Sequence, residues 1–359
     1  LTTVMAGTKG SAMGFLIGRD LRLPWSERLF VDPIVSVGYF KENKLYIDGH
    51  PDHAESRAGS NDSDAADFVS GDGWDNYIRL NIKYLLPIGR GRDQIVGVQR
   101  MDRGFPIHTG ERRYALNPLQ SGKSYLEVKP FYRSQSVEGD FLEEEVRTNG
   151  LNIAGFWDNR DFSPNPSRGC SIRSNFSRDF GALDSSGAWT NLNGEVDAYL
   201  PLGATRHFRQ RVIAASFWTA DSASWRVRSD GSIANRPPAY TGATLGGNWR
   251  LRGYPSQRFS DRAAIYYALE WRLIPRWNPF PRWEWLQRHL GVQWLQVVPF
   301  CELGRVAPSW NVEELHREMK YSLGVGIRAW AKGLVVRVDT AASAEGIKLQ
   351  MMIGQPFQF

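Results

Sequence analysis

The chain has 359 residues, a formal charge of +6, 35 glycines, 14 tryptophans and a mean hydropathy of −0.41. No stretch reaches the ~18 apolar residues that a membrane-spanning helix requires, so a helical membrane protein is excluded. Both signs of charge are spread along the chain and the basic residues form no block, so a nucleic-acid partner is not expected.

Alternating runs dominate and a helical period is nearly absent. In chain order they predict strands at 1–7, 11–21, 29–40, 74–87, 94–102, 110–116, 122–135, 148–160, 170–180, 190–200, 211–220, 262–273, 291–304, 319–330, 334–341 and 348–357. That makes sixteen, an even number. The connections mostly alternate between long (41–73, 136–147, 181–189, 221–261, 305–318) and short (88–93, 161–169, 201–210, 331–333), with 274–290 as a long exception on the short side. Sorting of loop length by parity is the expectation for a transmembrane antiparallel β-barrel with long outer loops and short inner turns. Such barrels have a soluble-looking mean hydropathy, because only alternate residues meet lipid.

The alternation is cleanest in three runs. Ile265, Tyr267, Leu269 and Trp271 fall on one face, against Tyr266, Ala268, Glu270 and Arg272 on the other. Tyr321, Leu323, Val325 and Ile327 oppose Ser322, Gly324, Gly326 and Arg328, and Leu334, Val336 and Val338 oppose Arg337 and Asp339. A period of two places one set against lipid and the other in a polar lumen, although a half-buried sheet of a soluble protein alternates equally well.

The remaining segments carry little chemistry. Segment 41–73 holds Asp48, His50, Asp52, His53, Asp62, Asp64, Asp67 and Asp72. Asp62-x-Asp64 continues with Ala65 and Ala66 rather than with the ligands and glycine of a calcium loop, so a mobile acidic outer loop is expected and no metal site. His50 and His53 lack the further ligands of a zinc site. No H-E-x-x-H, G-x-S-x-G or P-loop occurs, so neither an enzyme nor a cofactor is expected. Cys170 and Cys301 lie far apart in strand-like runs and read as free thiols. Asn311 followed by Glu313 and Glu314 predicts a brief capped helix. Trp277, Phe280, Trp283, Trp285 and Leu286 read either as an interfacial membrane anchor or as a docking site for a partner. The chain starts at Leu1, which reads as processed or excised.

One polar stretch stands apart. Between Gly242 and Arg262, the glycines Gly246, Gly247 and Gly253 are interleaved with Arg250, Arg252, Arg258 and Arg262 and with Trp249, Tyr254 and Phe259. That density suits a loop that folds back inside something polar; an exposed loop with stray aromatics is the other reading.

Leu251-Arg252-Gly253-Tyr254 resembles the (V/L)-R-G-(F/Y) signature of the BamA/TamA-type outer-membrane assembly barrels, the bacterial surface-antigen superfamily. Trp157-Asp-Asn-Arg-Asp161 with Pro164, Pro166 and Gly169 resembles the family's D-x-R-D…P-x-x-G strand and turn, which places Asp158, Arg160, Asp161 and Gly169 in its pattern. Phe300-Cys-Glu-Leu-Gly304 resembles its F-x-(D/E)-x-G strand, and Tyr321–Arg328 with Val336–Asp339 resembles its G-x-G-x-R…R-x-D pair. These pieces cover 150–359 in family order; the first 150 residues match by pattern alone.

The resemblance implies a single domain over 1–359: an all-β, sixteen-stranded transmembrane barrel of a Gram-negative outer membrane. Its outer loop, about 221–261, would lie in the lumen. It implies that Arg252 is latched there by Glu302, which faces inward with Phe300 and Gly304, and that Glu270 is a second inward carboxylate; an exposed Arg252 is the alternative. It implies that terminal Phe357 and Phe359 form a lipid-facing insertion signal, and that a seam between 1–7 and 348–357 can open. Lipid, lipopolysaccharide and a protein client or stoichiometric partner are the implied associates. All 359 residues are consumed by the barrel, so the family's substrate-capturing periplasmic domains were either cut away or never present. The implied role is insertion or translocation of proteins without ATP; an anchoring scaffold and a plugged diffusion pore are the rivals.

Overall fold

The computed structural model describes residues 2–7, 10–47, 57–96, 100–107, 114–139, 142–229, 232–278 and 284–357. The period-two sequence forms β1 (Thr2–Ala6), β2 (Ala12–Ile17), a short β3 (Leu21–Arg22), β4 (Leu29–Leu45), β5 (Val69–Leu85), a small hairpin of β6 (Met101–Asp102) and β7 (Phe105–Pro106), β8 (Lys123–Gly139), β9 (Leu142–Asp158), β10 (Gly169–Asp179), β11 (Trp189–Pro201) and β12 (Phe208–Asp221). Two further hairpins follow, β13 (Arg226–Val227) with β14 (Ile233–Ala234) and β15 (Ala243–Leu245) with β16 (Phe259–Asp261). The chain continues through β17 (Ala263–Pro275), helix α1 (Glu284–Leu290), β18 (Val292–Ala307), helix α2 (Val312–Leu315), β19 (Lys320–Ala331), β20 (Leu334–Ser343) and β21 (Gly346–Ile353).

The main sheet is an antiparallel meander in the order β1-β2-β4-β5-β8-β9-β10-β11-β12-β17-β18-β19-β20-β21, with β3 added on β4. Its burial is inverted. On β19 the exposed residues are Tyr321, Leu323, Val325 and Ile327, while Ser322, Gly326 and Arg328 are buried. On β21 the exposed Ile347, Leu349 and Met351 continue the apolar outer face. The largest fully buried side chains are headed by five arginines, Arg252, Arg258, Arg272, Arg328 and Arg337. A water-soluble sheet does the opposite, because a guanidinium withdrawn from water needs compensating partners.

The sheet is rolled, since groups far apart in its order meet inside. The Tyr199 hydroxyl on β11 donates to the carbonyl of Phe357, beyond β21, at 3.5 Å. Phe162, after β9, packs on Trp330 of β19 with ring centres 5.5 Å apart. No ladder between β1 and β21 is among the described pairings.

Four expectations are corrected. Among the described residues the path through the sheet holds fourteen strands where sixteen were expected; the described parts of 94–102 and 110–116 join no ladder of that sheet, and residues 97–99 and 110–113 lie outside the described residues. The described residues around Gly89 and the β6–β7 hairpin instead cross one end of the roll. Gly89 and Gly104 take positive φ of 54° and 77°, and the Gly104 carbonyl accepts from Trp294 Nε1 of β18 at 3.1 Å. Phe105 lies against Trp294 and beneath the Arg209 guanidinium, so the small hairpin is clipped to the far wall.

Second, 136–147 is not a long loop: β8 runs to Gly139 and β9 starts at Leu142, so parity of loop length is weaker than the sequence suggests. Third, the outer segment after β4 is not merely a mobile acidic loop, because Asn61, Ser63 and Asp67 are buried. Asp48, His50, Asp52 and His53 lie outside the described residues, and no cluster of metal-ligating side chains occurs among those described.

Fourth, the last strand stops at Ile353 instead of reaching 357, and Phe357 faces inward, not outward. Gly354, at φ 106°, turns the chain and donates its N–H to the Val335 carbonyl at 2.7 Å. Gln355 then accepts from Arg328, and the Phe357 ring lies 5.4 Å beneath the Arg272 guanidinium. Phe359 lies outside the described residues.

Two smaller expectations hold. Asn311 caps α2 by accepting from the N–H groups of Glu313 and Glu314, and both cysteines are free. Trp277, before α1, and Trp285, within it, are exposed.

Phe357→Ala is expected to lower the stability of the folded chain by about 3 kcal/mol, the usual cost of emptying a buried aromatic site. Equilibrium unfolding beside an exposed control, Phe180→Ala, measures it.

Candidate functional site

Between β12 and β17 the chain enters the interior of the roll over residues 243–261. The β15–β16 hairpin brings the chain in and takes it out, and the tip between them is built on left-handed backbone. Gly246 and Gly247 have φ near 104° and 100°, and Leu251 has φ 53°. The Tyr254 N–H closes the tip on the Leu251 carbonyl at 3.0 Å. Leu245, Leu251, Tyr254 and Phe259 are buried together, with the Tyr254 and Phe259 rings edge to face at 5.0 Å.

At the tip, Arg252 is fully buried and every face of its guanidinium is occupied. Nε donates to Glu302 Oε1 at 2.8 Å, Nη1 to Asp339 Oδ2 at 2.9 Å and Nη2 to Glu270 Oε1 at 3.0 Å. The Arg252 N–H also donates to Glu302 Oε2 at 2.7 Å, so one carboxylate grips side chain and backbone together. The Phe300 ring lies 3.5 Å beneath the guanidinium carbon, in cation–π contact. Tyr266 donates its hydroxyl to Glu302 at 2.7 Å.

The strands fix the rest of the tip. Gly253 N–H donates to Ser322 Oγ and its carbonyl accepts from Ser343 Oγ, each at 2.9 Å. Gln350 of β21 donates to the Arg252 carbonyl at 2.9 Å. A Cβ on Gly253 would sit 2.9 Å from the Ser343 Cβ, so a larger residue would lift the tip from the wall. On Gly304 it would come within 2.9 Å of Leu245 and 3.2 Å of Leu251. On Gly324 it would meet the Phe300 ring at 2.4 Å, and on Gly326 the Asp339 carboxylate at 2.3 Å. The G-x-G pattern of β19 is thus the space that lets Phe300 and Asp339 reach the guanidinium.

Further arginines extend the cluster. Arg272 donates to Glu270 at 2.9 Å, Arg328 grips both oxygens of Glu270 at 2.7 and 3.0 Å, and Arg337 pairs with Asp339. Seven buried charges stand together, four positive and three negative. Such groups offset their desolvation only when paired and hydrogen-bonded.

A second clamp holds the loop from its outer side. Arg258 donates from Nε to Glu345 at 2.8 Å and from Nη2 to the Ser63 carbonyl at 2.6 Å. Arg57 pairs with Asp261 at 2.6 Å, and the Ser260 N–H donates to the Gly59 carbonyl at 2.7 Å. Burial raises the Asp261 carboxyl above its ordinary pKa, although Arg57 draws it down. Segment 57–68 therefore lies over the loop as a cap.

The structure brings Leu251, Arg252, Gly253, Tyr254, Glu302, Glu270, Phe300 and Gly304 into one site. Asp158, Arg160, Asp161 and Gly169 stand apart from it, in the turn after β9. Arg160 closes on Asp158 at 2.9 Å and donates to the Phe357 carbonyl at 3.4 Å. Asp161 accepts the N–H groups of Phe162, Ser167 and Arg168, and Gly169, at φ 99°, approaches Asn159 so closely that a Cβ would lie 2.3 Å from its carbonyl oxygen. This motif shapes a turn and holds the segment after β21.

Sequence reasoning missed Asp339, Arg272, Arg328 and Arg337 as latch members, although all four occupy inward positions of the alternation. Their inward position was legible from the parity of β17, β19 and β20, but which of them reach the loop tip was not.

The loop fills the interior only against β17–β21. A cavity of about 2290 Å³ remains on the other side, lined by β2, β4, β5, β8–β12 and the loop itself.

No family model matches the sequence, and no curated protein matches it. Among solved structures the chain is similar to the crystal structure of BamA from Haemophilus ducreyi lacking POTRA domains 1–3, at 10% identity and a TM-score of 0.49, over 96% of this chain and 62% of that one. The chain thus spans less than two thirds of that neighbour's length.

Arg252→Ala leaves three buried carboxylates short of a partner, and a loss of about 3–5 kcal/mol is expected. Limited proteolysis of the folded protein reads it as new cleavage within 222–262. Arg252→Lys restores little, because an ammonium cannot serve three carboxylates in a planar fork. Gly324→Ala, which displaces Phe300 without touching a charge, is expected to cost about 1–3 kcal/mol.

Proposed function

We propose that this chain is an outer-membrane β-barrel that assists the insertion or translocation of proteins without ATP and without an enzymatic step. The observation that carries the reading is the inverted burial of a sheet whose two terminal strands, β1 and β21, have no ladder with each other among the described pairings. An apolar outer face such as that of β19 and β21 fits lipid, and arginines turned inward fit a polar lumen. Backbone groups in a bilayer need partners, so in the resting state β1 and β21 meet and close a fourteen-strand ring. That seam is short, because β1 has only five residues, pairing one-to-one with β2. β21 has eight residues, and its chain turns inward at Gly354.

A seam of at most five residues opens at lower cost than the long ladders of the wall, such as β8–β9 or β12–β17. Once open, each edge presents unpaired N–H and C=O groups, which template an incoming strand. The latched loop supports this role by keeping the lumen occupied and the wall β17–β21 rigid while the seam moves. Lipid and lipopolysaccharide surround the outer face, and client polypeptide is the partner at the edges.

Photo-crosslinking tests the reading. A photoreactive residue at Val4 on β1 or Ile347 on β21 is expected to capture unfolded outer-membrane barrel clients during their assembly, while one at Ile172 on β10 captures none. Equal capture at all three positions, or capture of a single mature protein in constant ratio, would discard the assembly role.

A further inference from the structure

The cavity beside the loop has a charge imbalance that neither the latch nor the seam uses. Its lining includes twelve arginine and lysine side chains against seven aspartate and glutamate side chains. Loop residues such as Tyr240 and Arg250 border it at one end, and Gln94 and Arg100 of the crossing segment border it at the other.

Part of the surplus lies on β5, β8 and β10. Glu127 is shared by Lys129, at 2.7 Å, and by Arg173. Arg79, on the neighbouring strand, pairs with no carboxylate among the described residues; its guanidinium stands 5.6 Å from the Tyr77 ring, and its Nε is buried without a hydrogen-bond partner. Two cations therefore share one carboxylate on a wall facing the cavity, and Arg79, close enough to Lys129 to repel its charge, adds a third cation to that wall. Aromatic rings hold the guanidinium planes, with Phe156 4.2 Å from Arg173.

We propose that this wall is a binding site for a small polyanion carrying phosphate groups, with Arg79, Lys129 and Arg173 as its ligands. A concave surface of one sign with low-dielectric walls concentrates counterions, and planar guanidinium groups match the paired oxygens of phosphate. The cavity, at about 2290 Å³, exceeds the several hundred cubic ångströms that such a ligand needs. Glu127 sets the spacing by holding Lys129 and Arg173 apart, and Arg79 supplies the group with no internal carboxylate. The site stands whether or not the barrel handles client proteins.

Calorimetric titration of the folded protein with sodium tripolyphosphate tests it. Saturable binding is expected that weakens with added salt and falls about tenfold or more in Arg79→Gln, as loss of a charge-assisted hydrogen bond predicts. Lys129→Gln should weaken it similarly and serves as the second variant if the first does not fold. Arg228→Gln, an exposed loop change, should leave it unaltered. Absence of saturable binding, or equal weakening by Arg228→Gln, overturns the site. Poly-glutamate that displaces tripolyphosphate and binds more tightly overturns the small-ligand assignment in favour of an acidic polypeptide.

Discussion

A guanidinium held among three carboxylates, with no water in reach, is the constraint around which this molecule is arranged. Arg252 has no accessible surface, and its partners come from three strands, β17, β18 and β20. No local sequence can assemble that set. The sheet must roll until Glu270, Glu302 and Asp339 converge, and the loop must enter far enough for its tip to arrive between them. Each requirement enforces the other. An empty pocket would leave Glu302 buried without its cation and take one partner each from Glu270 and Asp339, and a withdrawn loop would present Leu251 and Tyr254 to water.

The same logic explains where small residues stand. The wall opposite the tip must be charged and also thin. Gly304, Gly324 and Gly326 remove side chains where Leu251, Phe300 and Asp339 need volume. The interior is then divided. Against β17–β21 it is packed by the loop and by the segment after β21, and against β4–β11 it stays open. Both halves carry positive charge in excess: one guanidinium in the packed half, and twelve cations against seven carboxylates in the lining of the open half. Segment 86–122 closes over one end by placing Gly104 and Phe105 on Trp294, an element that belongs to neither wall yet touches both.

Much of this was legible before any coordinates, and the residues show why. Alternation is a local property of consecutive side chains, so the strands from β8 onward and their inward faces could be read directly. Glu302 could be matched to Arg252 because both sit in short patterns with fixed spacing. Asp339 could not, since its role depends on β20 lying two ladders from β18 and on Gly326 leaving room for its carboxylate. Among the described residues of 94–102, period two misled because a short extended piece such as β6 satisfies it as well, while the turns at Gly89 and Gly104 decide the path. Phe357 misled for a related reason. A terminal aromatic preserves the parity of β21 on paper, but a positive φ at Gly354 breaks the strand and turns the ring inward.

The charge count of the latch has a further consequence. Arg252, Arg272, Arg328 and Arg337 face only Glu270, Glu302 and Asp339, so one positive charge lacks a carboxylate. Neutral acceptors supply the balance: the Asn248 carbonyl accepts from Arg337 at 2.6 Å, and the Gln355 side chain accepts from Arg328. Both acceptors lie on segments that are not strands. The surplus arginine chemistry is therefore what fastens the loop and the chain beyond β21 to the same wall. Arg272, over the Phe357 ring, links that chain to Glu270 as well. A cluster neutral in itself would have left these segments to apolar packing alone. The one unmatched guanidinium makes loop, wall and the end of the last strand a single hydrogen-bonded body.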